Sequence, residues 1–151
     1  LGACKGYPSL TFLNEATLRF KEAESRGKIP VIIYFGDYDP SGEDIPRAIE
    51  ENIRRLGCES IEVRRIALME HQVIAWNLPP APAKETDSRT ANWDGLGQVE
   101  LDAVKPEKLQ KMCQDAIDEL FDHDRYDELN EQEETERETY RTQLREFVSS
   151  L

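Results

Sequence analysis

Cysteine, histidine and long apolar runs are scarce in this chain of 151 residues. The three cysteines (Cys4, Cys58 and Cys113) form no CxxC pair and have no histidine cluster nearby. This pattern argues against a disulfide scaffold or a zinc site and favours the reducing cytoplasm. No apolar run approaches the roughly 20 residues of a membrane span, and no signal peptide is recognisable. We therefore expect a cytoplasmic domain without a membrane partner.

Positive charge is also in short supply, because the formal net charge is −12. Residues 1–90 carry 14 acidic and 12 basic side chains, whereas residues 91–151 carry 17 acidic and 7 basic ones. Proteins that bind nucleic acid usually present a basic surface to the phosphates. Any interaction with DNA must therefore depend on local cations, or on a segment or partner outside this chain.

The first ninety residues alternate between helical and extended patterns. Apolar residues at helical spacing predict helices over residues 8–26 and 44–56, each followed by a glycine that is typical of a helix C-terminus. The apolar run Val31–Phe35 predicts a short strand buried on both faces, and residues 61–68 predict a half-exposed strand. Helices and strands in this order imply parallel pairing through right-handed crossovers, hence an α/β fold with a mostly parallel sheet flanked by helices.

The C-terminal part is predicted to be helical and acidic. Residues 77–99 form a long polar loop rich in proline, and Pro106 begins a helix whose apolar side runs to Phe121. Residues 122–138 hold nine acidic and two basic side chains, typical of a solvated helix face. A last amphipathic turn or two, carrying Tyr140, Leu144, Phe147 and Val148, is expected to fold back on the domain or on a neighbour.

Two aspartates follow the first predicted strand. Asp37 and Asp39 lie at its carboxyl end, where open α/β sheets place their ligands. Strand alternation would aim both carboxylates the same way, and such close like charges repel unless a cation intervenes. Hard oxygen ligands of this kind favour Mg²⁺ or Mn²⁺, with water and substrate phosphate completing the shell. The alternative is that one aspartate caps a helix and the other is solvated; Ser41 or Asp44 is also able to cap that helix.

Acidic strand ends occur in two other enzyme classes, and this chain departs from both. Phosphatases of the haloacid-dehalogenase type require DxDx[TV], whereas Pro40 and Ser41 follow Asp39 here. Receiver domains require a single phosphoacceptor with a distant acidic pair, and no such pair is present in this sequence.

The segment GDYDPSG resembles the second acidic motif of the Toprim fold, which is found in topoisomerases, primases and some nucleases. The resemblance is closer to one branch of that fold: the A subunit of topoisomerase VI, the related meiotic double-strand-break protein, and their phage- and plasmid-borne relatives. The resemblance covers roughly residues 2 to 120. Its segments are CKGYPS (Cys4–Ser9), GDYDPSG (Gly36–Gly42), EVRRIAL (Glu62–Leu68), KETDSR (Lys84–Arg89) and VELDAV (Val99–Val104).

The resemblance implies a Toprim-like domain over residues 1–120 and an acidic helical extension over residues 121–151. It implies that Asp37 and Asp39 bind Mg²⁺ or Mn²⁺ and that the ion assists cleavage of a DNA phosphodiester. The family's first acidic motif, a glutamate in an upstream strand, would lie before residue 1, and its nucleophilic tyrosine lies on a separate winged-helix domain. We therefore expect this chain to be part of a longer enzyme, to lack the first strand of its domain, and to be inactive alone.

Other charged residues are weaker candidates for the same site. Lys5 is a candidate phosphate contact, with a solvated lysine as the alternative. Lys84 and Arg89 either pair with Asp87 or contact the DNA backbone. Glu100 and Asp102 are candidate supporting acids on a neighbouring strand. For Asp102 we favour the alternative that it caps the helix after Pro106.

Two hypotheses follow from these residues. In the first, the chain is the metal-binding part of a DNA-cleaving or strand-passing enzyme, with DNA as its partner and a homodimer as its expected assembly. In the second, the domain is a non-catalytic interaction module, and its acidic C-terminal helix docks a basic partner or a second subunit.

Overall fold

The computed structural model describes residues 2–3, 6–81 and 97–150. Those ranges contain five α-helices and a two-stranded parallel sheet, so the predicted α/β class is confirmed. In chain order the elements are α1 (Leu10–Ser25), β1 (Val31–Phe35), α2 (Pro40–Arg55), β2 (Glu62–Ala67), α3 (Glu70–Trp76), a short 3-10 helix (Leu101–Ala103), α4 (Pro106–Asp118) and α5 (His123–Ser149).

The sheet joins β1 to β2 in parallel. Val31 lies opposite Glu62 and Phe35 opposite Ala67, with an irregularity in the register just before Phe35. The predicted bounds of β1 and the parallel pairing are therefore correct. The prediction that β1 is buried on both faces is wrong, because all five of its residues are only half-buried. Within the described residues, β1 has a neighbouring strand on one side only.

Helix ends follow local capping chemistry. Ser9 caps α1, and its hydroxyl accepts a hydrogen bond from the Phe12 amide at 3.2 Å. Gly27 follows α1 with φ of +74°, which agrees with the predicted glycine terminus. In contrast, α2 begins at Pro40 rather than at residue 44, and Asp39 is its N-cap. The prediction that Ser41 or Asp44 caps α2 is therefore wrong.

Two clusters of buried side chains hold the domain together. The first packs α1, α2 and the start of β2 around Ile53, Cys58 and Ile61, which are at most 1% exposed. The second lies beneath the ends of both strands, and its buried members are Tyr38, Ala67, Leu68, Val73, Val99 and Val104. The second cluster fixes where the strand ends stand relative to the chain around Val99.

Burial makes Cys58 a poor nucleophile. Desolvation raises the pKa of its thiol above the usual range, with a further contribution from the Glu24 carboxylate. Cys113 is only half-buried. We expect iodoacetamide at neutral pH to alkylate Cys113 at least about tenfold faster than Cys58, as followed by mass spectrometry of tryptic peptides. Equal rates in the folded protein would contradict the burial of Cys58; in urea the two rates should converge.

The chain divides into two compact units, Leu1–Gln114 and Asp115–Leu151. In the second unit, α5 is one continuous helix of 27 residues, capped by Asp122 through a 2.9 Å hydrogen bond from the Arg125 amide. Every residue of α5 is exposed.

The apolar helix predicted to run to Phe121 is too long, because α4 ends at Asp118. Among the helices in the described ranges, none has both the length and the hydrophobicity to cross a membrane.

Candidate functional site

The chain that leaves β1 is anchored on both sides. The Gly36 amide donates to the Ala67 carbonyl at 2.8 Å, and Gly36 in turn accepts from the Leu68 amide at 2.6 Å. Two residues later, Tyr38 forms an antiparallel bridge with Val99 through hydrogen bonds of 2.8 and 3.0 Å. The Tyr38 side chain is 3% exposed and belongs to the second buried cluster. This anchoring holds the backbone between the two aspartates in one place.

Asp37 is exposed beside this bridge. Its Oδ1 accepts a hydrogen bond of 2.7 Å from the Leu101 amide, a residue 64 positions away in the sequence. The bridge between Tyr38 and Val99 brings Leu101 close enough for this bond. The carboxylate is therefore oriented by the backbone of the VELDAV segment.

Asp39 is half-buried and caps α2. Its Oδ1 accepts a hydrogen bond of 2.5 Å from the Gly42 amide. Negative charge is favourable at this position, because the first turn of a helix presents unpaired amides. The capping alternative is thus confirmed for Asp39. The second oxygens of Asp37 and Asp39 accept no hydrogen bond from residues that the structure describes.

Gly42 allows the first turn of α2 to lie against the preceding loop. A Cβ at this position would lie 2.0 Å from the Asp37 carbonyl oxygen, far inside van der Waals contact. The group that approaches Gly42 closely is therefore the protein's own backbone. Gly42 therefore helps to set the distance between the backbones of the two aspartates.

Arg65 joins the three segments that meet at the strand ends. Its guanidinium Nη2 donates to the carbonyls of Asp37, at 3.3 Å, and Leu68. Its Nη1 lies 3.5 Å from Oε1 of Glu43 in the first turn of α2. The side chain is only 17% exposed. Arg65 is thus a clamp on the backbone of Asp37, a role that the sequence did not reveal.

The arginines at the end of α2 and in β2 form ion pairs within the chain. Arg64 lies 2.6 Å from Glu62 and lowers the pKa of that carboxyl group below its usual range. Arg54 and Arg55 each form a 2.5 Å ion pair with a glutamate one turn earlier in α2. These three arginines, together with Arg65, therefore offer little free charge to a phosphate backbone.

The clamp can be tested with Arg65→Gln, using Arg64→Gln as a matched control on the same strand. Because Arg65 holds the backbone of Asp37, its loss should loosen the hydrogen bond from the Leu101 amide. We expect the Leu101 amide to exchange with deuterium roughly tenfold faster in Arg65→Gln and at the wild-type rate in Arg64→Gln, measured by NMR. Unchanged exchange in Arg65→Gln would show that the clamp does not hold this carboxylate.

The remaining candidates have varied outcomes. Lys5, Lys84 and Arg89 lie outside the described residues. Glu100 and Asp102 are exposed, and the strand predicted there is replaced by the 3-10 helix after Val99. Asp102 lies within that 3-10 helix. An N-cap must directly precede its helix, and α4 begins at Pro106, so the favoured capping role of Asp102 is wrong.

Two further segments of the sequence resemblance contact the chain between Asp37 and Asp44. The VELDAV segment does so through Val99 and Leu101, as described above. The KGYP turn does so through Tyr7, whose hydroxyl donates to Oδ2 of Asp44 in α2 at 2.5 Å. Asp44 also pairs with Arg47 at 2.7 Å. The turn at Gly6, with φ of +79°, is thereby held against the N-terminal part of α2.

The arrangement offers two carboxylates rather than a closed metal cage. In the described part of the chain, no group of three or more histidine, cysteine, aspartate or glutamate side chains is placed to hold a metal ion. Zinc and calcium usually require such a set. Mg²⁺ commonly uses one or two carboxylates, several waters and a substrate phosphate. The donors at this strand end are therefore of the kind that Mg²⁺ or Mn²⁺ uses.

Comparison of the chain with protein-family models gave no match. Comparisons with curated proteins and with solved structures likewise found none that matches. The function is therefore argued from the residues and the geometry described above.

Proposed function

We propose that this chain is the metal-binding, Toprim-like part of an enzyme that cleaves DNA or passes DNA strands, similar to the A subunit of topoisomerase VI. The observation that carries the proposal is the pair Asp37 and Asp39 at the carboxyl end of a parallel strand. Each carboxylate has one oxygen fixed by a backbone amide and a second oxygen that accepts no hydrogen bond from described residues. This pairing orients both groups and leaves each a lone-pair-bearing oxygen for a cation.

The residues present fit Mg²⁺ or Mn²⁺ held between protein and phosphate. Asp37 and Asp39 would be the protein ligands, with Leu101 and Gly42 amides fixing their orientation. When bound, the ion would supply electrostatic stabilisation to the oxygens of a phosphodiester undergoing transesterification or hydrolysis. In this proposal the chain contributes metal ligands, and the attacking nucleophile comes from elsewhere in a longer protein.

The negative charge of the chain explains why such a site would need a metal ion in order to bind DNA. The chain carries a net charge of −12, and the arginines near the site are engaged in internal pairs. Without a cation, phosphate approaching Asp37 and Asp39 meets repulsion. A divalent ion held by Asp37 and Asp39 would supply the positive charge that attracts a phosphate.

The test is DNA binding by the full chain with and without Mg²⁺, measured by fluorescence anisotropy of a labelled duplex. We expect Mg²⁺ to tighten binding by about tenfold or more in the wild type and to have no effect in Asp37→Asn/Asp39→Asn. Simple charge arguments predict the opposite order, since the double variant is less negative and should bind DNA more tightly. Tighter binding by the double variant in Mg²⁺, or no response in the wild type, would contradict the proposal.

The alternative is a non-catalytic interaction module, and one observation favours it. Helix α5 is exposed along its whole length and carries large apolar side chains among its acidic residues. Partner binding by a module of this kind would require α5 and would not require Asp37 or Asp39. This alternative would be favoured if Mg²⁺ left the affinity for DNA unchanged and if association with a partner or second subunit depended on α5.

A further inference from the structure

Helix α5 carries an apolar stripe in two parts, separated by ten residues (130–139) without a large apolar side chain. At 100° per residue, its six large apolar residues fall within an arc of about 100° on one side of the helix. Each is about half to two-thirds exposed, so the stripe is open along the whole helix. The six are Tyr126, Leu129, Tyr140, Leu144, Phe147 and Val148, with exposures of 51%, 48%, 64%, 63%, 63% and 66%.

Two charged residues interrupt the stripe at its middle. Glu133 and Arg137 lie on the same side of α5 as the apolar residues, one turn apart, and form an ion pair of 2.7 Å. Both side chains are more than half exposed. A purely apolar partner would bury this pair without compensation, which is costly. A fitting partner therefore places an opposite charge over each of the two residues.

Charge along α5 is strongly asymmetric. Residues 123–138 carry eight acidic and two basic side chains, whereas residues 139–149 carry two basic and one acidic. A second copy lying parallel would set the acidic half against itself. A second copy lying antiparallel sets the basic end of each helix against the acidic half of the other, which lowers the repulsion.

We propose that a second copy of this chain covers the stripe, with the two α5 helices antiparallel. In one alignment, Glu133 of each copy lies opposite Arg137 of the other. The same alignment places the apolar Tyr126 opposite Leu144 at each end and the polar Asn130 opposite Tyr140. One register therefore satisfies the charges and forms one apolar pair at each end. The 27 residues span about 40 Å, nearly four heptads, a length over which paired helices are stable.

The alignment makes a specific prediction for charge reversal. Glu133→Arg alone sets arginine against Arg137 in a self-pair, and Arg137→Glu alone sets glutamate against Glu133. Each variant should therefore dimerise at least about tenfold more weakly than the wild type. When the two variants are mixed, every charge at these positions again faces its opposite. We expect the mixture to form a one-to-one heterodimer with affinity near that of the wild type, measured by sedimentation equilibrium.

The apolar stripe is tested with Leu144→Glu. Leu18 in α1 is the matched control, because it is 62% exposed against 63% for Leu144 and lies outside α5. We expect Leu144→Glu to be monomeric at concentrations where the wild type and Leu18→Glu are dimeric, by light scattering on a sizing column. Circular dichroism of each full-length variant checks that the helices are retained, since both positions are exposed.

Orientation is tested by oxidising a Tyr126→Cys/Leu144→Cys variant and mapping the linked peptides. The antiparallel pair predicts links between positions 126 and 144, whereas a parallel pair predicts 126 with 126 and 144 with 144. A monomeric wild type at high micromolar concentration, failure of the charge variants to associate when mixed, or parallel links would each overturn the proposal. Association that survives Leu144→Glu would also overturn it.

Discussion

Replacing Gly42 with alanine is expected to destabilise the domain by roughly 3 kcal/mol. The new Cβ would lie 2.0 Å from the Asp37 carbonyl oxygen, and both partners in this clash are held by backbone structure. Alanine is a better helix former than glycine by about 1 kcal/mol, so helix propensity alone predicts stabilisation. The clash is the larger effect, because relief requires the first turn of α2 to move away from the loop.

The measurement is urea unfolding followed by circular dichroism. A fall in the midpoint at constant slope reports a loss of stability without a change in the surface exposed. Ser41→Ala is the control, since Ser41 lies in the same turn of α2, is half-buried and already carries a Cβ, so alanine adds no atom there. We expect Ser41→Ala within about 0.5 kcal/mol of the wild type. A Gly42→Ala protein as stable as this control would contradict the close contact between the first turn of α2 and the Asp37 carbonyl.

Removing both strand-end carboxylates is expected to abolish stabilisation by divalent ions while leaving the folded chain intact. Asn caps a helix about as well as Asp, and its amide oxygen can also accept the hydrogen bonds from Gly42 and Leu101. The variant Asp37→Asn/Asp39→Asn should therefore fold normally. In the wild type, a metal present at 100 times its dissociation constant adds about 2.7 kcal/mol to the free energy of unfolding. The double variant should gain nothing under the same conditions.

The control for this prediction is Asp122→Asn. Asp122 caps α5 as Asp39 caps α2, by accepting a hydrogen bond from the amide three residues on, but it lies in the second compact unit. If the metal effect came from general neutralisation of the acidic chain, Asp122→Asn would reduce it by half as much as the double variant. Full retention of the effect in Asp122→Asn is expected instead. Thermal unfolding with and without Mg²⁺ distinguishes the two.

Local signals in the sequence were sufficient for much of the fold. The bounds of β1 follow from an apolar run between Pro30 and Gly36, and the end of α1 follows from Gly27. Pro106 correctly marked the start of α4. Each of these features depends on residues within a few positions of one another. Local backbone preference therefore decides them.

The candidate site was only half predictable, because its supporting contacts are distant in sequence. Asp37 and Asp39 were recognisable from their place after a strand. The hydrogen bond from the Leu101 amide to Asp37 depends on the bridge between Tyr38 and Val99. No pattern among neighbouring residues in the sequence predicts that bridge. Arg65 appeared only as one of two adjacent arginines in a strand. Its contact with the Asp37 carbonyl depends on the parallel register of β1 and β2.

The start of α2 was misplaced for a related reason. Both Asp39 and Asp44 are able to cap a helix, and the sequence pattern of apolar residues began only at Ile45. In the structure, α2 begins at Pro40. Proline is favoured at the first position of a helix, because the amide hydrogen that it lacks would have no partner within the helix there. Asp39 is consequently both a cap and a candidate ligand, which is possible because a carboxylate has two oxygens.

The central claim is that Asp37 and Asp39 hold a divalent ion, and titration with Mn²⁺ tests it most directly. The concentration of free Mn²⁺ is measured by electron paramagnetic resonance in separate titrations of the wild type, Asp37→Asn/Asp39→Asn and Asp122→Asn. We expect one ion per chain for the wild type and for Asp122→Asn, and affinity lower by at least about tenfold for the double variant. Identical Mn²⁺ binding by all three proteins, or none by the wild type, would contradict the claim.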